Sequence, residues 1–258
     1  MTEGGYDRPT MAARLEAVLF DYGHTLVDFT RTEDALLEAY RQIRERIEAA
    51  LYIDVPEVGH LIDRVATEVD RRVEASYREE RIEELDIVAV FDEILRATLG
   101  LSVPPDVVHH VVALDHSAYS RTITVAPETL AVLAELRSRG FVLGLVSNIA
   151  LLPQLVRQDL ETLGIMPHLD ATAFSSEVGR RKPDPAIFQH ALDRLGVQAE
   201  AAAFVGDRLL DDVGGAQRLG MRGIQTRQFR QEEGTDVRPD AVIDRLGDLP
   251  EALRGLAG

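Results

Sequence analysis

Apolar residues in the second half of the chain fall into short runs separated by longer amphipathic stretches. The runs predict strands over 141–146, 169–174, 202–205 and 221–226, and the similar run LEAVLF predicts one over 15–20. The stretches between them predict helices over 127–140, 151–164, 185–196 and 209–220, each closed by a glycine. Strands that alternate with helices of this length indicate βαβ units and a parallel sheet.

Residues 30–120 follow a helical period instead. Apolar residues recur there at steps of three and four in two segments: Leu36, Tyr40, Ile43, Ile47 and Leu51, then Val58, Leu61, Val65, Val69 and Val73. Two further helices are predicted over 84–100 and 105–119, where His109, His110 and His116 are expected to be surface histidines.

The predicted fold class is therefore α/β. A doubly wound, Rossmann-like parallel sheet core is predicted over 14–28 and 122–258, and an all-helical cap domain over 29–121 is inserted after the first strand. Residues 1–13 are polar and are predicted to be a flexible N-terminal tail.

The composition narrows the possible partners. The formal net charge of −16 repels nucleic-acid backbones and anionic membranes, so neither is an expected partner. No apolar run approaches the ~18 residues that cross a bilayer, and the absence of cysteine fits a cytoplasmic location. An acidic chain that handles phosphate needs a local cation, which points to a metal ion. A monomer and a homodimer both stay open.

Polar residues follow four of the predicted strands. They are Asp21; Ser147 and Asn148; Lys182, the only lysine among 28 basic residues; and Asp207 with Asp211 and Asp212. Any one of them alone is better explained as a turn or helix-capping residue. Because ligands bind at the carboxyl ends of parallel strands, the four groups together predict one site.

This set of side chains suits phosphoryl transfer. An aspartate can attack phosphorus and form an aspartyl phosphate. Carboxylates close to one another and to a phosphate dianion repel unless a hard cation such as Mg²⁺ lies between them. A lysine and a hydroxyl donor neutralise the remaining phosphate oxygens. We therefore expect Mg²⁺ as the cofactor and a small phosphorylated molecule as the substrate.

Four segments carry a resemblance to a known family. FDYGHTLVD (20–28), LVSN (145–148), GRRKPDPAIF (179–188) and VGDRLLDDVGGAQRLG (205–220) resemble, in that order, the four motifs of the haloacid dehalogenase (HAD) superfamily of hydrolases. The subfamily that they resemble has a helical, C1-type cap. The resemblance covers nearly the whole chain from residue 15.

The resemblance implies a role for each matching residue. The implied metal ligands are the nucleophile Asp21, the backbone carbonyl of Gly23, Asp207 and, through a metal-bound water, Asp212. The implied catalytic residues are Asp21, Ser147 and Lys182. The implied phosphate-binding residues are Ser147, Asn148 and Lys182, which would bridge the phosphate and the nucleophile.

The chain departs from the family pattern at Gly23. Phosphatases of this family carry a second aspartate there, which protonates the leaving group and then activates water. Such acid–base help contributes about 10²–10⁴-fold in rate. Glycine has no side chain to move a proton, so His24, Tyr22, water or the substrate would have to do so. His24 is also a candidate substrate-binding residue, although packing at the cap hinge or exposure to solvent explains it as well.

Three functions stay open. The first is a Mg²⁺-dependent phosphatase of small metabolites that works through an aspartyl phosphate at Asp21 despite Gly23. The second is a non-catalytic relative that binds phosphorylated ligands or proteins. The third is a 2-haloacid dehalogenase, which needs no leaving-group acid but also no Mg²⁺, so the acids at 207, 211 and 212 oppose it.

Overall fold

The computed structural model describes residues 14–256, so the predicted tail over 1–13 lies outside the described residues. The strands are β1 (Ala17–Phe20), β2 (Val27–Asp28), β3 (Thr124–Val125), β4 (Val142–Ser147), β5 (Ala171–Phe174), β6 (Ala202–Gly206), β7 (Arg222–Thr226) and β8 (Ala241–Ile243). The α-helices are α1 (Glu33–Leu51), α2 (Val58–Leu61), α3 (Thr67–Arg78), α4 (Ile87–Leu99), α5 (Pro105–Ser120), α6 (Thr129–Ser138), α7 (Pro153–Thr162), α8 (Ser175–Val178), α9 (Pro185–Leu195), α10 (Gly215–Arg218) and α11 (Leu249–Leu256). Turns of π-helix at Ile62–Ala66 and Leu209–Gly214 precede α3 and α10. None of the helices described here is long and apolar enough to span a membrane.

A parallel sheet forms the centre of the fold. Within residues 14–256 it has six strands in the order β5-β4-β1-β6-β7-β8, and every neighbouring pair is parallel. Helices pack on both faces, so the α/β fold class and the parallel sheet predicted from the sequence are confirmed. The sequence analysis missed β8 and α11, because the strand is only three residues long and follows a long loop.

The side chains of β1 alternate between the two faces of the sheet. Val18 and Phe20 pack in the cluster that includes α6, α7 and α11, whereas Ala17 and Leu19 pack in the cluster that includes α9 and α10. All four are fully buried. A central parallel strand is covered on both faces, which explains why its sequence is a continuous apolar run.

Residues 30–121, between β2 and β3, contain α1 to α5, and we call them the helical segment. Side-chain caps begin two of these helices: Thr32 accepts a hydrogen bond from the Ala35 N–H, and Asp86 accepts one from the Ala89 N–H. The apolar faces of the helices pack into a hydrophobic cluster of their own. β2 and β3 pair antiparallel where the chain leaves the sheet core and returns to it. That the segment is a separate cap domain with boundaries at 29 and 121 stays a prediction.

A buried ion pair joins the helical segment to the sheet core. Arg181 precedes α9 and Glu84 precedes α4, and their side chains are only 1% and 2% exposed. Arg181 donates to the Glu84 carboxylate through Nε (2.8 Å) and Nη2, and to the Ser76 hydroxyl through Nη1 (2.9 Å). The guanidinium also lies 4.2 Å from the centre of the Tyr77 ring. Because both groups are shielded from water, neither charge can be solvated if its partner is removed. Each charge is therefore stabilised by the other.

Replacing Glu84 by alanine is expected to lower the free energy of unfolding by about 3–5 kcal/mol, since it leaves a buried guanidinium without its counter-charge. The adjacent pair offers a matched control: Arg180 and Glu83 are 2.7 Å apart but exposed. Glu83→Ala is therefore expected to cost less than about 1 kcal/mol. Urea unfolding followed by circular dichroism measures both changes, and equal effects would contradict the importance of the buried pair.

Candidate active site

Adjacent strand ends bring the sequence-predicted residues together. Phe20, the last residue of β1, pairs with β4 on one side and with β6 on the other. Asp21 therefore follows β1 at the edge of the sheet where β4 ends in Ser147 and where β6 is followed by Asp207. The parallel register alone gives Asp21 a polar neighbour on either side.

Lys182 lies between two carboxylates in this site. Its Nζ donates to Asp21 Oδ1 and to Asp212 Oδ1, each over 2.6 Å. The Ser147 hydroxyl donates to the same Asp21 oxygen over 2.7 Å. Lys182 is only 4% exposed, so the single lysine of the chain is buried beside the predicted nucleophile.

The side chain of Asn148 holds the loop that carries Lys182 in place. Its amide group donates to the Lys182 carbonyl over 3.0 Å, and its carbonyl oxygen accepts from the Lys182 N–H over 2.6 Å. This two-way contact ties the end of β4 to the loop before α9. The contact makes Asn148 a positioning residue, while direct phosphate binding by it stays a prediction.

Asp212 enters the site from the π-helical turn that follows β6. The Arg208 N–H donates to its Oδ2 over 2.9 Å, while Oδ1 accepts from Lys182. Turns of this kind are frequent at functional sites. The close approach requires glycine at the end of β6, because a Cβ at Gly206 would lie 2.3 Å from the Asp212 carboxylate.

Burial dominates the electrostatics of the site. Burial raises the pKa of Asp212 and of Asp207, and repulsion among these two carboxylates and Asp21 raises it further. The positive charge of Lys182 opposes this increase. Burial would lower the pKa of Lys182, but the carboxylates of Asp21 and Asp212 outweigh that effect and raise it. Lys182 therefore stays charged, and the site keeps an excess of acidic groups.

The three carboxylates are arranged to hold a cation. One oxygen from each of Asp21, Asp207 and Asp212 lies within 4.8 Å of the others. Asp207 Oδ2 is buried without a hydrogen-bond partner among the described residues, although Arg230 Nη1 is 3.0 Å away. Carboxylate oxygens are suitable ligands for Mg²⁺, which usually binds one or two of them together with waters and phosphate oxygens. Both oxygens of Asp212 already contact protein groups, so Asp21 and Asp207 are the better placed direct ligands, and the Gly23 carbonyl stays a predicted one.

An aromatic ring takes the space next to Gly23. A Cβ at Gly23 would lie 2.9 Å from Phe29 Cε1 and 3.1 Å from its Cζ. The Phe29 ring packs against His24 and lies edge-on to Tyr119, with ring centroids 5.2 and 6.4 Å apart. An aspartate at position 23 would therefore collide with this ring unless Phe29 moved.

The two side chains predicted as alternative proton carriers differ in their surroundings. His24 adopts a φ of +58°, which is uncommon for a residue other than glycine, and its Nδ1 is 3.0 Å from Asp28 Oδ1. It lines the same cavity as Asp21. Burial raises the pKa of Tyr22, so its hydroxyl keeps its proton at neutral pH. A protonated hydroxyl does not act as a base, so Tyr22 stays a candidate only as a proton donor.

The cavity at Asp21, of about 480 Å³, also contains residues that the sequence analysis missed. Arg208 and Arg230 line it, and Arg230 comes from the long loop after β7, which carries no motif. The expectation of a surface position was wrong for His116, which is 7% exposed and whose Nε2 is 2.7 Å from Asp159 Oδ2 of α7. Contact between α5 and α7 buries His116, and helical periodicity within α5 does not reveal that contact.

Comparison with known proteins agrees with this architecture. Residues 15–220 match the family model described as haloacid dehalogenase-like hydrolase. A glyceraldehyde 3-phosphate phosphatase from Methanopyrus kandleri is 33% identical over 248 residues, which are 94% of this chain and 99% of that protein. Among solved structures, a 2-haloacid dehalogenase from Pseudomonas syringae pv. Tomato DC3000 is 28% identical with a TM-score of 0.63. A HAD phosphatase from Thermococcus onnurineus is 26% identical with a TM-score of 0.59, and both structural matches cover 93% of this chain and 99% of the other.

The family model spans most of the chain, and the Methanopyrus relative aligns along nearly its whole length. The four motifs that carry the resemblance in the sequence all lie within the matched residues. The protein therefore belongs to the haloacid dehalogenase-like hydrolase family.

Proposed function

We propose that the protein is a Mg²⁺-dependent phosphatase that hydrolyses small phosphorylated metabolites through an aspartyl phosphate at Asp21. The observation that carries the proposal is the contact of buried Asp21 with Lys182 and Ser147, beside further carboxylates that can hold a cation. The names of two relatives support it: the Methanopyrus protein is a glyceraldehyde 3-phosphate phosphatase and the Thermococcus protein a HAD phosphatase.

The reaction has two halves. First, an oxygen of Asp21 attacks phosphorus, the bond between phosphorus and the ester oxygen breaks, and the alcohol leaves with a proton. Water then attacks the same phosphorus, the bond to Asp21 breaks, and inorganic phosphate leaves. Lys182 and Ser147 both donate to Oδ1 of Asp21, which fixes the orientation of the attacking carboxylate.

The remaining residues handle charge. Asp21, Asp207 and the Gly23 carbonyl would hold Mg²⁺, which neutralises charge on the phosphate and lowers its repulsion from Asp21. Lys182 and Ser147 would donate to phosphate oxygens in the transition state. Asp212 keeps the Lys182 ammonium in place through its 2.6 Å contact. With glycine at position 23, the leaving-group proton would come from His24, Tyr22, water or the substrate.

A 2-haloacid dehalogenase is the second candidate, because the Pseudomonas structure carries that name. That reaction also begins with attack by an aspartate, but on carbon, and it requires no cation. Beyond the attacking Asp21, the other two buried carboxylates of the cluster, Asp207 and Asp212, would have no cation to hold in that reaction, which favours the phosphatase. A phosphate-binding protein without turnover is the third candidate, since Gly23 removes the usual proton carrier.

The protein is expected to release inorganic phosphate from small phosphomonoesters in the presence of Mg²⁺. Asp21→Asn is expected to lower kcat by at least about 10³-fold, because it removes the nucleophile. A colorimetric phosphate assay over a substrate panel measures both. Halide release from a 2-haloacid without Mg²⁺ would establish the dehalogenase instead, and Mg²⁺-dependent phosphate binding without turnover would establish the binding protein.

Mg²⁺ binding is expected to weaken at least tenfold in Asp207→Asn, since even groups that only orient a metal ligand contribute about 10–100-fold in affinity. Asp211→Asn is the matched control, because Asp211 lines the same cavity but lies outside the three-carboxylate cluster. Isothermal titration calorimetry compares the two variants with the wild type. Equal Mg²⁺ affinity in Asp207→Asn and the wild type would contradict the proposed ligand.

Lys182 is expected to react very slowly with an amine-acylating reagent at pH 8.5, because it is buried and its pKa is raised by Asp21 and Asp212. Phosphate or vanadate with Mg²⁺ is expected to slow the reaction further. Peptide mass spectrometry separates this modification from that of the N-terminal amine. Rapid labelling that ignores both ligands would argue against a phosphate-binding lysine.

A further inference from the structure

We infer that the preferred substrates are aromatic phosphomonoesters, in which a ring on the leaving-group side of the phosphate packs against Phe29 and Tyr119. The inference rests on the proposed function, because it names the substrate class of that same site. It assigns Phe29 and Tyr119 as residues that determine specificity.

The position of Phe29 is the first observation. Its ring edge lies over Gly23, two residues beyond Asp21, where a Cβ would come within 2.9 Å of it. Phe29 and Tyr119 are both partly exposed, and both line the cavity that contains Asp21. The wall beside the predicted nucleophile is therefore aromatic surface that is open to the cavity.

The surrounding contacts hold this aromatic wall in a fixed arrangement. Tyr119 lies edge-on to Phe29 at 86°, and the Arg31 guanidinium lies 5.0 Å from the centre of the Tyr119 ring. Arg31 is in turn paired with Asp70, to which the Tyr119 hydroxyl also donates over 3.5 Å. Rings held in this way bind a planar group at a low cost in conformational entropy.

Three of the acidic residues that line the cavity are paired with other protein groups, and a fourth, Glu74, is exposed to solvent. Asp70 binds Arg31, Asp115 accepts a hydrogen bond from Tyr40 over 2.9 Å, and Asp159 is 2.7 Å from His116. Because Asp70, Asp115 and Asp159 are paired, they are less available to a leaving group than the ring surface of Phe29 and Tyr119 beside them. A cavity of about 480 Å³ has room for a phosphate and one aromatic ring.

The chemistry of the leaving group points the same way. A phenol has a pKa of about 10, well below that of an alkyl alcohol. A phenolate can therefore leave with the electron pair of the bond to phosphorus and take its proton from water afterwards. Gly23 supplies no proton in that place, so the site is matched to a leaving group that does not need one there.

Calorimetry in the presence of Mg²⁺ tests the inference without relying on turnover. The probes are benzylphosphonate and cyclohexylmethylphosphonate, which share the charge and the linker and differ in the aromaticity of the ring. The wild type is expected to bind benzylphosphonate about 3- to 10-fold more tightly, the gain that one aromatic contact contributes. Phe29→Leu and Tyr119→Leu are expected to remove the difference, whereas Tyr119→Phe, which keeps the ring, retains it.

Equal affinities in the wild type, or a preference that survives both leucine variants, would overturn the inference, provided that thermal unfolding shows the variants to be folded. Steady-state kinetics then separate the contribution of ring binding, which affects KM, from that of the leaving group, which affects kcat. KM is expected to be lower for benzyl than for cyclohexylmethyl phosphate, and kcat to be higher for phenyl than for benzyl phosphate. Failure of the proposed function looks different: no ester releases phosphate, while the ring preference in phosphonate binding persists.

Discussion

The buried contact of Lys182 with Asp21 and Asp212 is the constraint on which the rest of the site depends. Burying a carboxylate without a partner is costly, and here two carboxylates share one ammonium over 2.6 Å each. The compact ammonium of lysine can sit between two acids, whereas a planar guanidinium has a different shape and hydrogen-bonding fork. A chain that otherwise uses only arginine therefore keeps its one lysine at this place.

One lysine does not balance the carboxylates that the sheet brings together. Asp207 adds a third buried acid, and Arg230 reaches only one side of it. The excess of negative charge gives a physical reason for a divalent cation, and a cation in turn makes room for a phosphate dianion beside the acids. The proposed phosphatase activity is the reaction that uses both features at once.

The same loops connect this charged centre to the helical segment. Arg181 and Lys182 are adjacent in sequence, yet Arg181 forms the buried pair with Glu84 while Lys182 contacts Asp21. Phe29, where the chain leaves β2 for the helical segment, covers Gly23. Any displacement of the helical segment would therefore act on groups one or two residues away from the predicted nucleophile and lysine.

The fold class and most of the charged centre could be predicted from the amino-acid sequence alone. Short apolar runs ending in polar residues located Asp21, Ser147, Lys182, Asp207 and Asp212, because in a parallel sheet all strands end at the same edge. Local patterns suffice for such residues, since the backbone register carries them to one place. The spacing of the histidines within α5, in contrast, predicted that His116 lies at the surface, and that prediction is wrong.

The contacts between distant segments around the site, in contrast, become visible only in the folded chain. Four such contacts join segments that share no sequence period or motif. They are Phe29 with Gly23, Glu84 with Arg181, Asp159 with His116, and Arg230 with Asp207. Their geometry depends on how helices pack on the sheet and on one another, and side-chain packing of that kind is specified by many residues at once. The sequence thus determined the charged centre, while tertiary packing decided the wall that faces the substrate.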